Sequence, residues 1–310
     1  MTNRVAVLGS INFDTTYRVD RMPQPGETVT AINKTAAPGG KGANQAVAAA
    51  RSGARTSFIG MVGSDDIGRS LLRTLKENNV DTRNIQTKAQ VGTGSAIVTL
   101  DNSGQNSIMV YGGANQALTP DAIKKKSVAK MIAKSDFLIA QFETPLDTTL
   151  AAFKLAHKKG VKTILNPAPA HQIDPELLAC TDLIVPNDNE SEAITGIPVA
   201  NEAQLRQTYD YFRQHGVKRL VVTLGSKGAA ILTEKDFAIL PAFRVQAVDT
   251  TAAGDTFIGA LVSCLKPDFS NLEEATQYGQ LASSLTVQGL GAMPSIPTLA
   301  QVQVAQAEVE

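Results

Sequence analysis

The chain has 310 residues, 43% hydrophobic and 19% charged, with 29 basic and 29 acidic side chains. That is length enough to bury a substantial core as one large domain or two smaller ones. The zero net charge and the absence of long like-charge runs exclude the electrostatic footprint of a nucleic-acid binder or a basic membrane-surface protein, and no apolar stretch approaches the roughly 20 residues of a membrane span or forms a signal peptide, so the expected location is cytoplasmic.

The segment RVAVLG reads as a buried strand and leads into LGSINFD, where Asn12 and Asp14 face one way if the chain stays extended. Such a pair suits vicinal hydroxyls, and it suits a plain turn equally well. NFDTTYRVD and ETVTAINKTA then alternate in character with no helix between them. APGGKGANQAVAAA opens a helix, with Ala43, Ala46, Val47 and Ala50 at i, i+3, i+4 and i+7 as one apolar stripe. Two phosphate-binding fingerprints fail here: Gly42 follows Lys41 where a Walker A loop needs Ser or Thr, and Gln45 stands where a dinucleotide motif needs glycine. What remains is a glycine pair that admits a ligand to the backbone, followed by Asn44 with donor and acceptor capacity; a glycine-rich helix start accounts for it as well.

SFIGMVG reads as another buried strand, and SAIVTLDNSGQNSIMVY as a hairpin turning at Asn102, Ser103 and Gly104. Lys124 to Lys126 read as a solvated helix face. DFLIAQFE is a strand ending at Glu143, just before Pro145, either a helix-start acid or an acceptor for sugar hydroxyls. Leu146, Leu150 and Phe153 then give a helical stripe. After the strands KTILNPAP and DLIVPN, Asn187 and Glu190 fit a helix cap or a hydrated metal near phosphates. RLVVTLG brings Thr223, Gly225, Ser226 and Gly228 to a strand end, where a hairpin turn and a phosphate-receiving turn are both open. VDTTAAGDTFIGA places Asp255 on the first turn of an apolar helix, for which capping is the plain reading. Cys180 and Cys264 sit among apolar residues and predict reduced, packed thiols; His157, His171 and His215 have no metal-ligand spacing.

The alternation predicts an α/β fold: a mostly parallel central sheet covered by helices on both faces. The segments that break it predict a small antiparallel β lid. The expected division is 1–11, 39–93 and 114–310 for the catalytic domain and 12–38 with 94–113 for the lid. Its exposed edges suggest pairing with a second subunit, a homodimer through the lid. Ligands in such sheets settle at the carboxyl ends of strands, and the candidate site residues named above all follow strand ends.

GGKGANQAVAAARSGA and VQAVDTTAAGDTFIGAL, with QFETP, NPAPA, PNDNESE and TLGSKG between them in order, resemble the ribokinase family of carbohydrate and nucleoside kinases over essentially the whole chain. The resemblance implies ATP-dependent phosphorylation of D-ribose at its primary O5 hydroxyl, with another sugar or a nucleoside (deoxyribose, fructose, adenosine) as the alternative acceptor and a non-catalytic sugar- or nucleotide-binding protein as a further one. It implies Asp255 as base and Ala252, Ala253, Gly254 and Asp255 as an anion hole. Asn12, Asp14, Gly40, Lys41, Gly42, Asn44, Glu143 and Asp255 would surround the sugar. Asn187, Glu190, Thr223, Gly225, Ser226, Gly228, Gly254 and Gln280 would hold ATP, with Mg²⁺ near Asn187 and Glu190 through water. A monovalent cation, usually K⁺, would lie by Asp249, Thr251, Thr286, Gly289, Gly291 and Ser295. Two positions depart from the family pattern: Gln280 replaces a common histidine near the adenine, and Ile258 replaces a common asparagine after the catalytic aspartate.

Overall fold

The computed structural model describes residues 2–309. In chain order its strands are β1 (Arg4–Leu8), β2 (Asn12–Arg18), β3 (Asn33–Gly39), β4 (Arg55–Gly63), β5 (Asp81–Lys88), β6 (Gly94–Leu100), β7 (Asn106–Tyr111), β8 (Phe137–Ala140), β9 (Lys162–Leu165), β10 (Leu183–Ile184), β11 (Arg219–Thr223), β12 (Ala229–Thr233) and β13 (Phe237–Leu240). They form a nine-stranded sheet, ordered β13-β12-β11-β10-β9-β8-β1-β4-β5, and a separate four-stranded sheet, β3-β2-β6-β7. The large sheet is parallel from β5 to β11 and antiparallel from β11 to β13.

Strand alternation divides the core in two. Val5, Val7, Phe137 and Ile139 point into one hydrophobic cluster; Ala6, Leu8, Leu138 and Ala140 point into the other. Both faces are covered by helices, which is why the sequence of these strands is continuously apolar. β5, with the sequence DTRNIQTK, is less legible because it is an edge strand that leaves most of its residues partly or fully exposed.

The chain leaves β1 toward β4 and β5 on one side and resumes at β8 on the other. The reversal of strand order therefore lies between β1 and β8, where open α/β sheets leave a crevice beyond the strand ends. The small sheet combines two antiparallel pairs, β2–β3 and β6–β7, through a parallel β2–β6 seam. The β6–β7 turn falls where the sequence places it: Asp101 Oδ1 accepts from the Ser103 and Gln105 amides, and Gly104 adopts φ 86°.

Three details differ from the sequence reading. The helix Lys41–Arg51 is buried all round from Gly42 to Ala49, not on one stripe, because the helix Ala253–Cys264 packs on its other side. In the helix Leu146–Lys158 the fully buried face is Thr148, Thr149, Ala152, Phe153 and Ala156, with Leu146 and Leu150 only half-buried. The Thr148 hydroxyl faces inward because it donates to the Leu118 carbonyl at 2.9 Å. Cys264 is exposed near the end of its helix and Cys180 is half-buried; both are free thiols, but neither is fully packed.

Candidate active site

The site is assembled around the start of the helix Ala253–Cys264. Ala252 turns the chain into it with φ 62° and ψ 8°, a left-handed conformation that costs a residue with a side chain about 1–3 kcal/mol. The first amides of a helix precede its i→i−4 ladder. That of Ala253 is taken by the Thr250 carbonyl at 3.2 Å. The amides of Gly254 and Asp255 are left beside the cavity that both residues line. Asp255 itself is 7% exposed. Asn44 Nδ2 donates to its Oδ2 at 3.0 Å, and Gln45 Nε2 donates to its Oδ1 at 2.9 Å.

These contacts depend on two helices meeting closely. A Cβ at Gly259 would stand 2.5 Å from the Ala48 Cβ and 2.6 Å from the Gln45 carbonyl oxygen. The small side chains of AVAAA and the glycine of FIGA thus serve one purpose: they let the helix carrying Asp255 lie against the helix carrying Asn44 and Gln45.

The cavity, of about 320 Å³, is lined by Lys41, Asn187, Glu190, Thr223 and the Thr250–Asp255 turn, among others. A larger and more open depression of about 520 Å³ lies against the helix Leu299–Val309, away from every candidate residue except Ser295. The smaller one brings Lys41, Glu190 and Asp255 together with the amides of Asn166 and Asn187, whereas Glu308, Gln288 and Gln301 are the corresponding groups of the larger.

On one side of Asp255 stand residues from the β1–β2 junction and the start of the Lys41–Arg51 helix. Asn12 is buried and its Oδ1 accepts from Asn115 Nδ2 at 2.7 Å. Gly40, at φ 89°, carries the chain past the Asn12 amide, only 2.9 Å from where a Cβ would be. Glu143 accepts from the Lys41 amide at 2.9 Å and from the Ser10 hydroxyl, and the Gly42 amide also turns inward to Ser10 Oγ. Burial pushes the Asp14 carboxyl up to about 6, aided by Glu143 and Asp255 and opposed by a bond from the Ala96 backbone. Its Oδ1 and the Oδ1 of Asn44 are buried acceptors without a partner. Burial works against the Lys41 charge, but Asp255, Glu143 and Glu190 outweigh it and raise its pKa.

On the other side, Asn187 and Glu190 do form a capping box: Asn187 Oδ1 accepts from the Glu190 amide at 2.7 Å and Glu190 Oε2 from the Asn187 amide at 2.9 Å. Both still line the cavity. Burial raises the Glu190 pKa, against the Asn187 bond and Lys41. Thr223 lines the cavity and ends β11 in a true β-hairpin with β12. Gly225 and Ser226 lie exposed on its tip and Gly228 is buried below, all outside the cavity wall. Gln280 is buried against the end of β13, donating to the Leu240 carbonyl at 3.1 Å, also outside that wall. Ile258 lines it.

The loops proposed for the monovalent cation do meet. Val248 and Asp249 amides donate to the Val287 carbonyl at 2.7 and 3.2 Å, and Asp249 Oδ2 accepts from the Gly291 amide at 2.9 Å. Asp249 Oδ1 accepts from the Thr251 amide and hydroxyl. The Thr286 hydroxyl donates to Thr256 Oγ1 at 3.0 Å, and Ser295 Oγ to the Ala292 carbonyl. Gly289 packs against Ser295 and donates to the Thr286 carbonyl.

Comparison with known proteins gives the family. The model of the pfkB family of carbohydrate kinases matches residues 2–299. The chain belongs to the PfkB carbohydrate kinase family. It is 45% identical over 304 residues to a ribokinase of Staphylococcus aureus, covering 97% of this chain and 99% of that protein. It is 43% identical to a ribokinase of Haemophilus influenzae, with 96% of each covered. The structure of Arabidopsis thaliana ribokinase complexed with ribose and ATP superposes with a TM-score of 0.92 at 33% identity, covering 98% of this chain and 99% of that one.

Behind Asp255 this PfkB kinase buries three amides that carry no role in the sequence motifs: Gln45, Gln141 and Asn166. A signal was available. Gln141 and Asn166 each directly follow an apolar strand, in QFETP and NPAPA, and Gln45 is the residue that spoils the dinucleotide fingerprint.

Proposed function

We propose that this kinase transfers the γ-phosphoryl group of ATP to the O5 hydroxyl of D-ribose, giving D-ribose 5-phosphate and ADP, with Asp255 as base. The observation that carries the reading is the Asp255 carboxylate, held by Asn44 on the first turn of a helix beside the amides of Gly254 and Asp255, at the wall of a polar cavity. A base and an anion hole within one turn are what transfer to an alcohol requires. The ribokinase relatives, and the neighbour that binds ribose and ATP, support the choice of sugar.

The partnerless acceptors of Asp14 and Asn44 call for O–H donors, which a polyol supplies. With Asn12, Gly40, Lys41, Gly42 and Glu143 they surround the pentose. O5 attacks phosphorus, the bond to the bridging oxygen of ADP breaks, and Asp255 receives the O5 proton. A largely dissociative transfer demands little early proton removal, so the base contributes about 10²–10⁴ in rate. The Ala252–Asp255 turn gathers the phosphoryl charge on its amides. Asn187, Thr223, Gly225, Ser226, Gly228 and Gln280 hold the nucleotide.

The oxygen donors of Asn187 and Glu190 fit a Mg²⁺ that keeps most of its waters, which would neutralise charge along the phosphates. The hydroxyls and carbonyls of Thr251, Thr286, Gly289, Gly291 and Ser295, in loops pinned by Asp249, are hard donors suited to K⁺, which would order the anion-hole loop. Segments 12–38 and 94–113 act as the lid over a catalytic domain of 1–11, 39–93 and 114–310.

The test is an acceptor panel of ribose, 2-deoxyribose, fructose and adenosine with MgATP, with and without K⁺. Ribose should give the highest kcat/KM, because an acceptor built for a hydroxyl rejects a sugar lacking it. Equal turnover of 2-deoxyribose would defeat the ribose assignment. Asp255→Asn should lower kcat by about 10²–10⁴; wild-type turnover in that variant would remove Asp255 from the role of base.

A further inference from the structure

We propose that Gln45 is a positioning residue for the reaction, fixing the orientation of the Asp255 carboxylate through its bond to Oδ1; the proposal rests on Asp255 being the base. Gln45, Gln141 and Asn166 are 0%, 1% and 7% exposed. Three primary amides in a core are costly unless their donors and acceptors are matched. They come from different elements: Gln45 from the Lys41–Arg51 helix, Gln141 from the end of β8, Asn166 from the end of β9. Gln141 Nε2 donates to Gln45 Oε1 at 2.6 Å. Gln45 Nε2 sends one hydrogen to Asp255 Oδ1 at 2.9 Å and the other to Asn166 Oδ1 at 3.0 Å. Asn166 Nδ2 donates to the Val185 carbonyl at 2.9 Å.

Chemistry fixes the direction of this relay. A reversed Gln45 would set its carbonyl against a carboxylate and against another carbonyl. A reversed Asn166 would set its carbonyl against that of Val185. This arrangement sets a donor against an acceptor at each contact, leaves Gln141 Oε1 as the one acceptor of the three amides without a partner, and ends with an N–H aimed at Asp255.

The two oxygens of Asp255 are therefore held differently. Oδ2 is held by Asn44, whose own Oδ1 has no partner and whose place beside the sugar makes it free to exchange contacts when substrate enters. Oδ1 is held by a side chain with both ends committed to protein. Asn44, Gln45 and Gln141 all lie behind the cavity wall, and Asn166 is the one amide of the network that lines it, so the distinction rests on the partners: Asn44 Oδ1 has none, whereas both ends of Gln45 are bonded. Gln45 thus ties one carboxylate oxygen to the frame of the sheet while the other is left to the substrate side. A network serving packing alone has no need to end on the reacting group; apolar side chains fill the same volume without the desolvation cost.

The experiment compares full-length wild type with Gln45→Met, Asp255→Asn and the double variant, measuring kcat and KM for ribose and ATP, ribose affinity by calorimetry without nucleotide, and thermal unfolding. Gln45→Met should lower kcat about tenfold to hundredfold, the scale of a small misplacement of a reacting group, with both KM values and ribose affinity within about twofold of wild type. In the Asp255→Asn background the same change should cost nothing further, because Gln45 acts through that carboxylate. Should Gln45→Met fail to fold, Gln141→Leu, one bond more remote, should show the same pattern with a smaller loss of kcat. Unchanged kcat in a folded Gln45 variant, or an equal loss with and without the Asp255 carboxylate, overturns the positioning role alone. Full activity of Asp255→Asn overturns the base assignment and this proposal with it.

Discussion

Asp14 carries a cost in the free protein that the proposed contact with a sugar hydroxyl would explain. Burial is the main reason its carboxyl sits at about 6 instead of its ordinary 3.8, which at neutral pH corresponds to about 3 kcal/mol. The sign follows from linkage: a group whose folded pKa is raised stabilises the fold fully below its unfolded value and loses that contribution as pH rises through the folded one. Asp14→Asn should therefore stabilise the ligand-free protein by up to about 3 kcal/mol above pH 6 and by nothing below about pH 4, the gain growing between them. Unfolding of both proteins across that range checks this; a gain independent of pH would place its origin elsewhere. The same variant should bind ribose more weakly, since a neutral amide is a poorer acceptor for hydroxyls than a carboxylate. This is the strain expected where a site is built for its ligand and not for the empty fold.

At the scale of elements, the helices Lys41–Arg51 and Ala253–Cys264 form the unit that holds Asp255 against Asn44 and Gln45, the proposed base against the proposed sugar side. Gly259 sets their separation, since a methyl there would meet the Gln45 carbonyl oxygen and the Ala49 amide nitrogen at 2.6 and 2.7 Å. Backbone cannot yield as a flexible side chain would, so the helices must part. Gly259→Ala should destabilise by about 1–3 kcal/mol and, by moving Asp255 away from Asn44 and Gln45, lower kcat by about 10². Thermal unfolding and steady-state kinetics read the two effects separately. Unchanged kcat despite a lower melting temperature would mean that the helices separate without moving the carboxylate.

The whole molecule consists of a large sheet sealed by helices and a small one that is not. β7 forms an edge of the small sheet, and Ile108, Met109, Val110 and Tyr111 are 54–66% exposed along it. A long apolar edge invites pairing with another chain, and a second copy covering it would remove that liability while tying two small sheets, the proposed lids, together. We expect the wild-type protein to sediment as a dimer and the Ile108→Lys/Met109→Lys variant as a monomer with its thermal transition retained. A monomeric wild type would rule out the lid interface.

Local chemistry was enough for much of this. Apolar runs marked the buried strands, Asn102 to Gly104 marked a hairpin, and the capping pattern of Asn187 and Glu190 and the helix start at Asp255 were legible in a few adjacent residues each, because strand burial, turns and caps are decided within one or two turns of chain. The choice between readings was not local. Asp255 is a plain helix-start acid until it meets Asn44 and Gln45, 211 and 210 residues away in the chain. Gln45, Gln141 and Asn166 are unremarkable singly and acquire a direction only when β8, β9 and a helix bring them together. Sequence alone leaves the edge strands β5 and β13 illegible but settles the buried strands of the sheet's middle, the main helices and the residue types at the strand ends. Only the tertiary structure decided which of those residues share a carboxylate, because a hydrogen bond depends on position to within a few tenths of an ångström and chain distance says nothing of that.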